Sequence, residues 1–140
     1  MKRLSRTFLN VGIVISWISV GVLAFTGLVC IIAGVLPPIH DAIRTGIENG
    51  NVQSDFPDAD TAIAFYIAVM VTSGVVCLMF IPLPIINAVL SKKALTNPTR
   101  GLYISCMIFG SINSKFTLAG GILGMIALAR ENRRKADIIE

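Results

Sequence analysis

GLYISCMIFGSINSKFTLAGGILGMIALA, residues 101–129, is apolar except for Lys115 near its middle and a few small polar side chains, among them Ser111, Asn113 and Ser114. Read as one helix, it carries an ammonium group close to the centre of a bilayer, at a cost of about 2.5 kcal/mol or more. Read as two helices, it turns at Asn113 and restarts at Ser114 as a cap, and Lys115 sits at the tip, where its long stem lets the charge reach the headgroups. Each arm then holds roughly 14 apolar residues, or about 21 Å of helix, short of the ~30 Å hydrocarbon core. Such arms need a locally thinned bilayer, or burial of the tip against taller helices.

Charge decides between the two. With a doubled-back C-terminus, Lys2, Arg3 and Arg6 lie on the same side as Lys92, Lys93 and Arg100 and as the basic tail Arg130, Arg133, Arg134 and Lys135. Arg44 and Lys115 are all that remain opposite, as the positive-inside rule requires. A single long helix sends the tail across with Arg44 and leaves the two sides nearly balanced. The expectation is a chain with both termini cytoplasmic and a recess on the outer side, floored by the tip at 111–115.

Composition agrees. Hydrophobic residues make up 54% of the chain and charged ones 14%, against roughly 25% charged in an ordinary soluble domain, and mean hydropathy is +0.78. The net charge of +4 sits in clusters at the ends of apolar runs, where lipid headgroups lie, and no aromatics interleave with it as nucleic-acid binding demands. Cys30, Cys77 and Cys106 each lie within an apolar run and read as small packing residues. Val29 directly before Cys30 is too large for a lipoprotein cleavage site.

The other crossings follow. Residues 8–36 carry no charge and are too long for the apolar core of a cleaved signal, so they read as a permanent helix ended by Pro37-Pro38. The connection 37–60 forms the outer loop. Ile39, Ile43 and Ile47 recur every four residues and lay an apolar stripe along a short surface helix, with Arg44 and Glu48 paired on its wet side and Asn49-Gly50 as its stop. Asp41, Glu48, Asp55, Asp58 and Asp60 make this loop acidic, and Asp58 or Asp60 is placed to cap the next helix. His40, the only histidine, reads as an interfacial side chain, and the aspartates lack a cation-loop pattern, so no metal site is expected. A second long helix spans 61–90, broken or kinked at Pro82-Leu83-Pro84. Asn97-Pro98 reads as cap and first helical position of a helix over 98–112, and the last runs 115–135. The expected fold is all-α, one integral membrane domain over 1–140: a four-helix bundle of two long helices and a short C-terminal helical hairpin, with Gly120 and Gly124 as a close-packing GxxxG face.

Over residues 101–135 this pattern resembles the closing hairpin of small four-helix bacterial membrane proteins of unknown function, which share a basic N-terminus, one longer outer loop and a glycine-rich last helix with a basic tail. The resemblance implies no activity and transfers no functional residue. Claudins also have a large first outer loop, but here that loop holds neither cysteine nor tryptophan.

For function, no nucleophile–base set, metal-ligand spacing or phosphate-cradling loop stands out, so neither catalysis nor a cofactor is expected. The expectation is a small membrane accessory protein. It binds a membrane protein, lipid or peptide through Ile43, Ile47, Asp55 and Asp58 of the acidic loop and through Lys115 of the recess. The alternative is an oligomeric channel or transporter subunit, a homo-oligomer joined on the glycine face and lined by Ser, Thr and Asn. Beyond the lipid bilayer and such a partner, no nucleic acid enters.

Overall fold

The computed structural model describes residues 2–53 and 55–136, which form helices and connecting turns without a strand. The helices are α1 (Lys2–Val35), α2 (Pro37–Glu48), α3 (Ala59–Met79), α4 (Pro82–Thr96), α5 (Arg100–Asn113) and α6 (Lys115–Ala136). Because α3 and α4 run on as one 38-residue body, Ala59–Thr96, the described chain has five helical bodies where the sequence leads to four. The fifth body is α2, the short helix that the isoleucine spacing places on the 37–60 connection and that the count of four leaves out. Two bodies, Lys2–Val35 and Ala59–Thr96, are long and apolar enough to cross a membrane.

The chain divides into two compact units, one of Met1–Gly21 with Ile81–Glu140 and one of Val22–Phe80. In the first, α5 and α6 lie antiparallel around Ser114, whose extended backbone (φ −155°, ψ 112°) interrupts the helix. The Ser114 hydroxyl accepts from the Thr117 amide at 3.4 Å and so caps α6. Small residues let the two backbones close: a Cβ on Gly110 would stand 2.5 Å from the Leu118 nitrogen, and one on Gly121 would stand 3.0 Å from the Tyr103 carbonyl oxygen. The GxxxG pair is split between partners, Gly120 lying against Leu9 of α1 and Gly124 against the Tyr103 ring of α5. Leu9, Ala94, Tyr103 and Cys106 form the apolar core, walled by Leu90, Leu102 and Met125 among others.

The start of α5 corrects the reading at Asn97-Pro98. Asn97 ends α4, its amide donating to the Lys93 carbonyl at 2.8 Å, and Thr99 is the true N-cap, accepting from Leu102 N at 3.4 Å. A residue before proline is pushed out of the helical region, but Asn97 satisfies that as the last residue of one helix, leaving the cap to the next hydroxyl in line.

In the second unit, the C-terminal part of α1 and α3 meet through glycines. Gly27 lies under Leu78 and the Gly74 carbonyl, Gly74 beside Ile31 and the Gly27 carbonyl, and Gly34 beside Met70 and Val71. Pro37 and Pro38 open α2, where their missing N–H groups cost nothing. Asn49 ends it, and Gly50, at φ +70°, takes a left-handed turn that a side chain would strain. Asp58 caps α3 through the Thr61 amide at 2.6 Å, and Asp60 lies in the first turn. Arg44 pairs with Asp60 rather than with Glu48, so the tie runs from α2 to α3 instead of along α2.

Candidate functional site

Of the isoleucine stripe and the acidic loop, Ile43, Ile47 and Asp55 come together, and Asp58 does not join them. Ile43 and Ile47 of α2, Asp55 of the connection and Phe65, Tyr66 and Val69 of α3 line one open groove of about 340 Å³. Val52, Gln53, Phe56 and Ala62 complete it, with Phe56 and Phe65 in ring contact at 5.0 Å. The four-residue spacing of the α2 isoleucines puts them on one side of that helix. The Val52 amide, bonded to the Gly46 carbonyl at 2.9 Å, folds the connection back onto the same helix. The floor is therefore aliphatic and aromatic. Asp55 lies at the groove, and Asp41, Glu48 and Asp58 are exposed elsewhere on the unit.

His40 anchors α2. Its Nε2 lies 2.9 Å from the Gly34 carbonyl oxygen, and its ring stands edge-on to Tyr66 at 6.5 Å. A carbonyl only accepts, so Nε2 carries the proton of this bond. The same bond satisfies a carbonyl in the last turn of α1, where no intrahelical donor remains. The Thr61 amide and hydroxyl hold the Asp58 carboxyl below its ordinary value, which marks Asp58 as a committed cap before it is a contact for a ligand.

Lys115 is exposed at the first position of α6 and belongs to the other unit from Ile43, Ile47 and Asp55. Of its expected companions at the tip, Ser111 donates to its own helix at the Ile108 carbonyl (2.7 Å) and Ser114 is buried as a cap.

A second set of residues escaped the sequence reading. In the first unit Ser16 of α1, Asn87 of α4 and Thr117 of α6 are fully buried and joined. Asn87 Nδ2 donates to Ser16 Oγ at 2.8 Å and to Thr117 Oγ1 at 3.2 Å, while Ser16 Oγ donates to the Gly12 carbonyl at 2.8 Å. With its one proton spent on Gly12, Ser16 offers only lone pairs, so Asn87 must turn its amino group toward it. Asn87 Oδ1 is left without a partner, and Ser91, one turn along α4, has the Cys106 thiol as its side-chain neighbour. Ser5 adds a further tie, donating to the Gly120 carbonyl at 2.8 Å. The available signal was Asn87 and Ser91 at i, i+4 spacing on an otherwise apolar run, a polar stripe whose partners 71 and 30 residues away no local pattern reveals.

Comparison with protein-family models, with curated proteins and with solved structures finds no match to this chain. The likeness to small four-helix membrane proteins accordingly rests on hydropathy and on the 101–135 pattern alone.

Proposed function

We propose that this chain is a multi-pass membrane protein without catalytic activity, an accessory subunit that engages a partner membrane protein through the α2–α3 groove. The inside-out distribution of side chains supports the membrane part. Ser5, Ser16, Asn87, Ser91, Ser114 and Thr117 are buried, whereas Trp17, Phe25, Ile32, Met79, Phe80 and Ile112 are more than half exposed. In water that arrangement exposes apolar area far beyond what soluble monomers carry, and in lipid it is the expected one.

Sidedness gains support within the first unit. Lys2 Nζ lies 2.5 Å from Glu131 Oε2, and Leu95 and Pro98 line the same small pocket as both. The start of α1, the end of α4 and the end of α6 thus share one end of that unit, as a C-terminus that doubles back demands. The positive-inside rule puts that end in the cytoplasm. A cysteine placed beyond Lys135 is then protected from an impermeant maleimide in intact cells, and labelling from outside would overturn the topology.

The groove carries the partner reading. Two isoleucines, two phenylalanines and two valines form an apolar trough with a carboxylate beside it, which suits an apolar segment bearing a basic residue. A photocrosslinker at Ile43 or Asp55 should trap the same single protein in native membranes, and Phe65→Arg should abolish it. A crosslinker at Ile104, exposed on α5, should not trap it. Lipid adducts alone from Ile43 and Asp55 would sink the proposal.

A further inference from the structure

The basic residues of the first unit do more than ring a helix end. Lys2, Arg130, Glu131, Arg133 and Arg134 line an open recess of about 580 Å³. It shares Lys2, Ala127 and Glu131 with an inner pocket of about 70 Å³, whose other walls include Arg6, Tyr103 and Gly124 and the apolar Ala94, Leu95 and Leu128. Five cationic side chains therefore face this double recess against one carboxylate. That carboxylate is already engaged, by Lys2 at 2.5 Å and by Lys135 at 3.9 Å. Among the described residues, no carboxylate pairs with Arg6, Arg130, Arg133 or Arg134.

Arg130, Arg133 and Arg134 fall at i, i+3 and i+4, so one face of α6 presents three guanidinium groups together. Guanidinium groups favour phosphate because their planar donors match two oxygens at once. The inner pocket matters equally: its walls are partly charged and partly apolar, and a surface that bound anions by charge alone would have no use for the apolar part. Gly124 lets the Tyr103 ring form one wall of that pocket, because a Cβ there would stand 2.2 Å from the ring.

We infer that this double recess is a binding site for the headgroup of an anionic phospholipid, with the phosphate held by Arg130, Arg133 and Arg134 and the apolar root of the lipid against Leu95 and Leu128. The inference rests on the membrane reading above but not on the partner groove, which shares none of these residues. A soluble phosphate offers the same anionic group without the apolar root, so the two sources separate experimentally.

Purified full-length chain in a mild detergent should be offered phosphatidylglycerol and phosphatidylcholine of identical acyl chains, and bound lipid read by native mass spectrometry. At about 1 kcal/mol per basic residue, Arg133→Gln with Arg134→Gln should weaken phosphatidylglycerol retention roughly 25-fold. The charge-matched pair Lys92→Gln with Lys93→Gln, exposed on α4 and outside both pockets, should leave retention unchanged. Equal retention of the two lipids, or an equal loss in the Lys92/Lys93 variant, overturns the site. Inorganic phosphate binding as tightly as phosphatidylglycerol overturns the lipid assignment. Failure of the membrane reading shows separately, as release of the chain from membranes by alkaline carbonate.

Discussion

The two units are held together by opposite means. The first joins three helices through a fully buried amide and hydroxyls centred on Asn87, and then closes a hairpin by backbone contact. Among the described residues the second has no such polar knot; its α1–α3 seam is glycine against side chain and carbonyl, and α2 is tied to α3 by an exposed ion pair and the His40–Tyr66 ring contact. In lipid, where apolar burial gives helices no reason to associate, hydrogen bonds and close packing are what remain. The first unit uses both and the second mainly one.

The comparison breaks most visibly at Gly110. Its nearest neighbours are backbone atoms of Thr117 and Leu118, which cannot swing aside, so Gly110→Leu must force α5 and α6 apart at a cost of about 3 kcal/mol or more. Reversible unfolding in detergent measures this. Gly21→Leu, with nothing within 4 Å of the added Cβ, is the control and should be near neutral. If both variants unfold alike, the hairpin contact is not what holds the first unit.

Next in size is the glycine seam of the second unit. A Cβ on Gly74 would stand 2.6 Å from the Ile31 side chain but also 2.8 Å from the Gly27 carbonyl oxygen. Ile31 can shift and the carbonyl cannot, so Gly74→Ala should cost about 1 to 3 kcal/mol. A disulfide-scanning pair across α1 and α3 should then form more slowly in the variant, with the first unit's unfolding unchanged. A loss shared equally by both units would mean the division between them is not mechanical.

Asn87 tests the polar half of the contrast. Asn87→Ala removes two hydrogen bonds worth about 0.6 kcal/mol apiece on average in membranes, and leaves a void, for about 1 to 2 kcal/mol in all. Asn87→Leu fills the space and also deletes the unpartnered Oδ1. If the knot serves chiefly to fix which helices meet, the Leu variant should recover stability yet lose a single packing arrangement, seen as broadened amide spectra. A Leu variant as well ordered as the parent would reduce Asn87 to ordinary packing.

How much of this was legible follows from range. The turn at 113–114 shows in sequence because a cap, a misplaced lysine and a basic tail all argue the same way within 30 residues. The groove was half legible: Ile43 and Ile47 declare themselves by spacing, whereas Phe65 and Val69 looked like any lipid-facing apolar residues of α3. Arg44 was assigned to Glu48 because i, i+4 is the only partner a local rule can propose, and Asp60 won through a fold-back at Gly50. Asn87 stayed hidden for the same reason at longer range. Lys115 is conspicuous as a charge in an apolar run, but sequence does not say which residues share its unit, and those of the groove do not.

The smallest effect separates the units by acid. Each carries a carboxylate held below its ordinary value: Asp58 by the Thr61 amide and hydroxyl, Glu131 by hydrogen bonding and charge from Lys2. A lowered carboxylate pKa contributes stability above the ordinary range, about pH 4, and loses it as pH falls through the folded value. Acidification should therefore loosen the first turn of α3 and the Lys2–Glu131 closure together. Salt should part them. At 1 M the screening length is about 3 Å, so the charge contribution at Glu131 fades while the backbone bond to Asp58 persists. Amide exchange at Thr61 and Ala62 should then keep its acid transition in high salt. The carboxyl titration of Glu131, followed by NMR, should move back toward the ordinary value. A salt-insensitive Glu131 would mean that hydrogen-bond geometry, not charge, closes the basic end of the first unit.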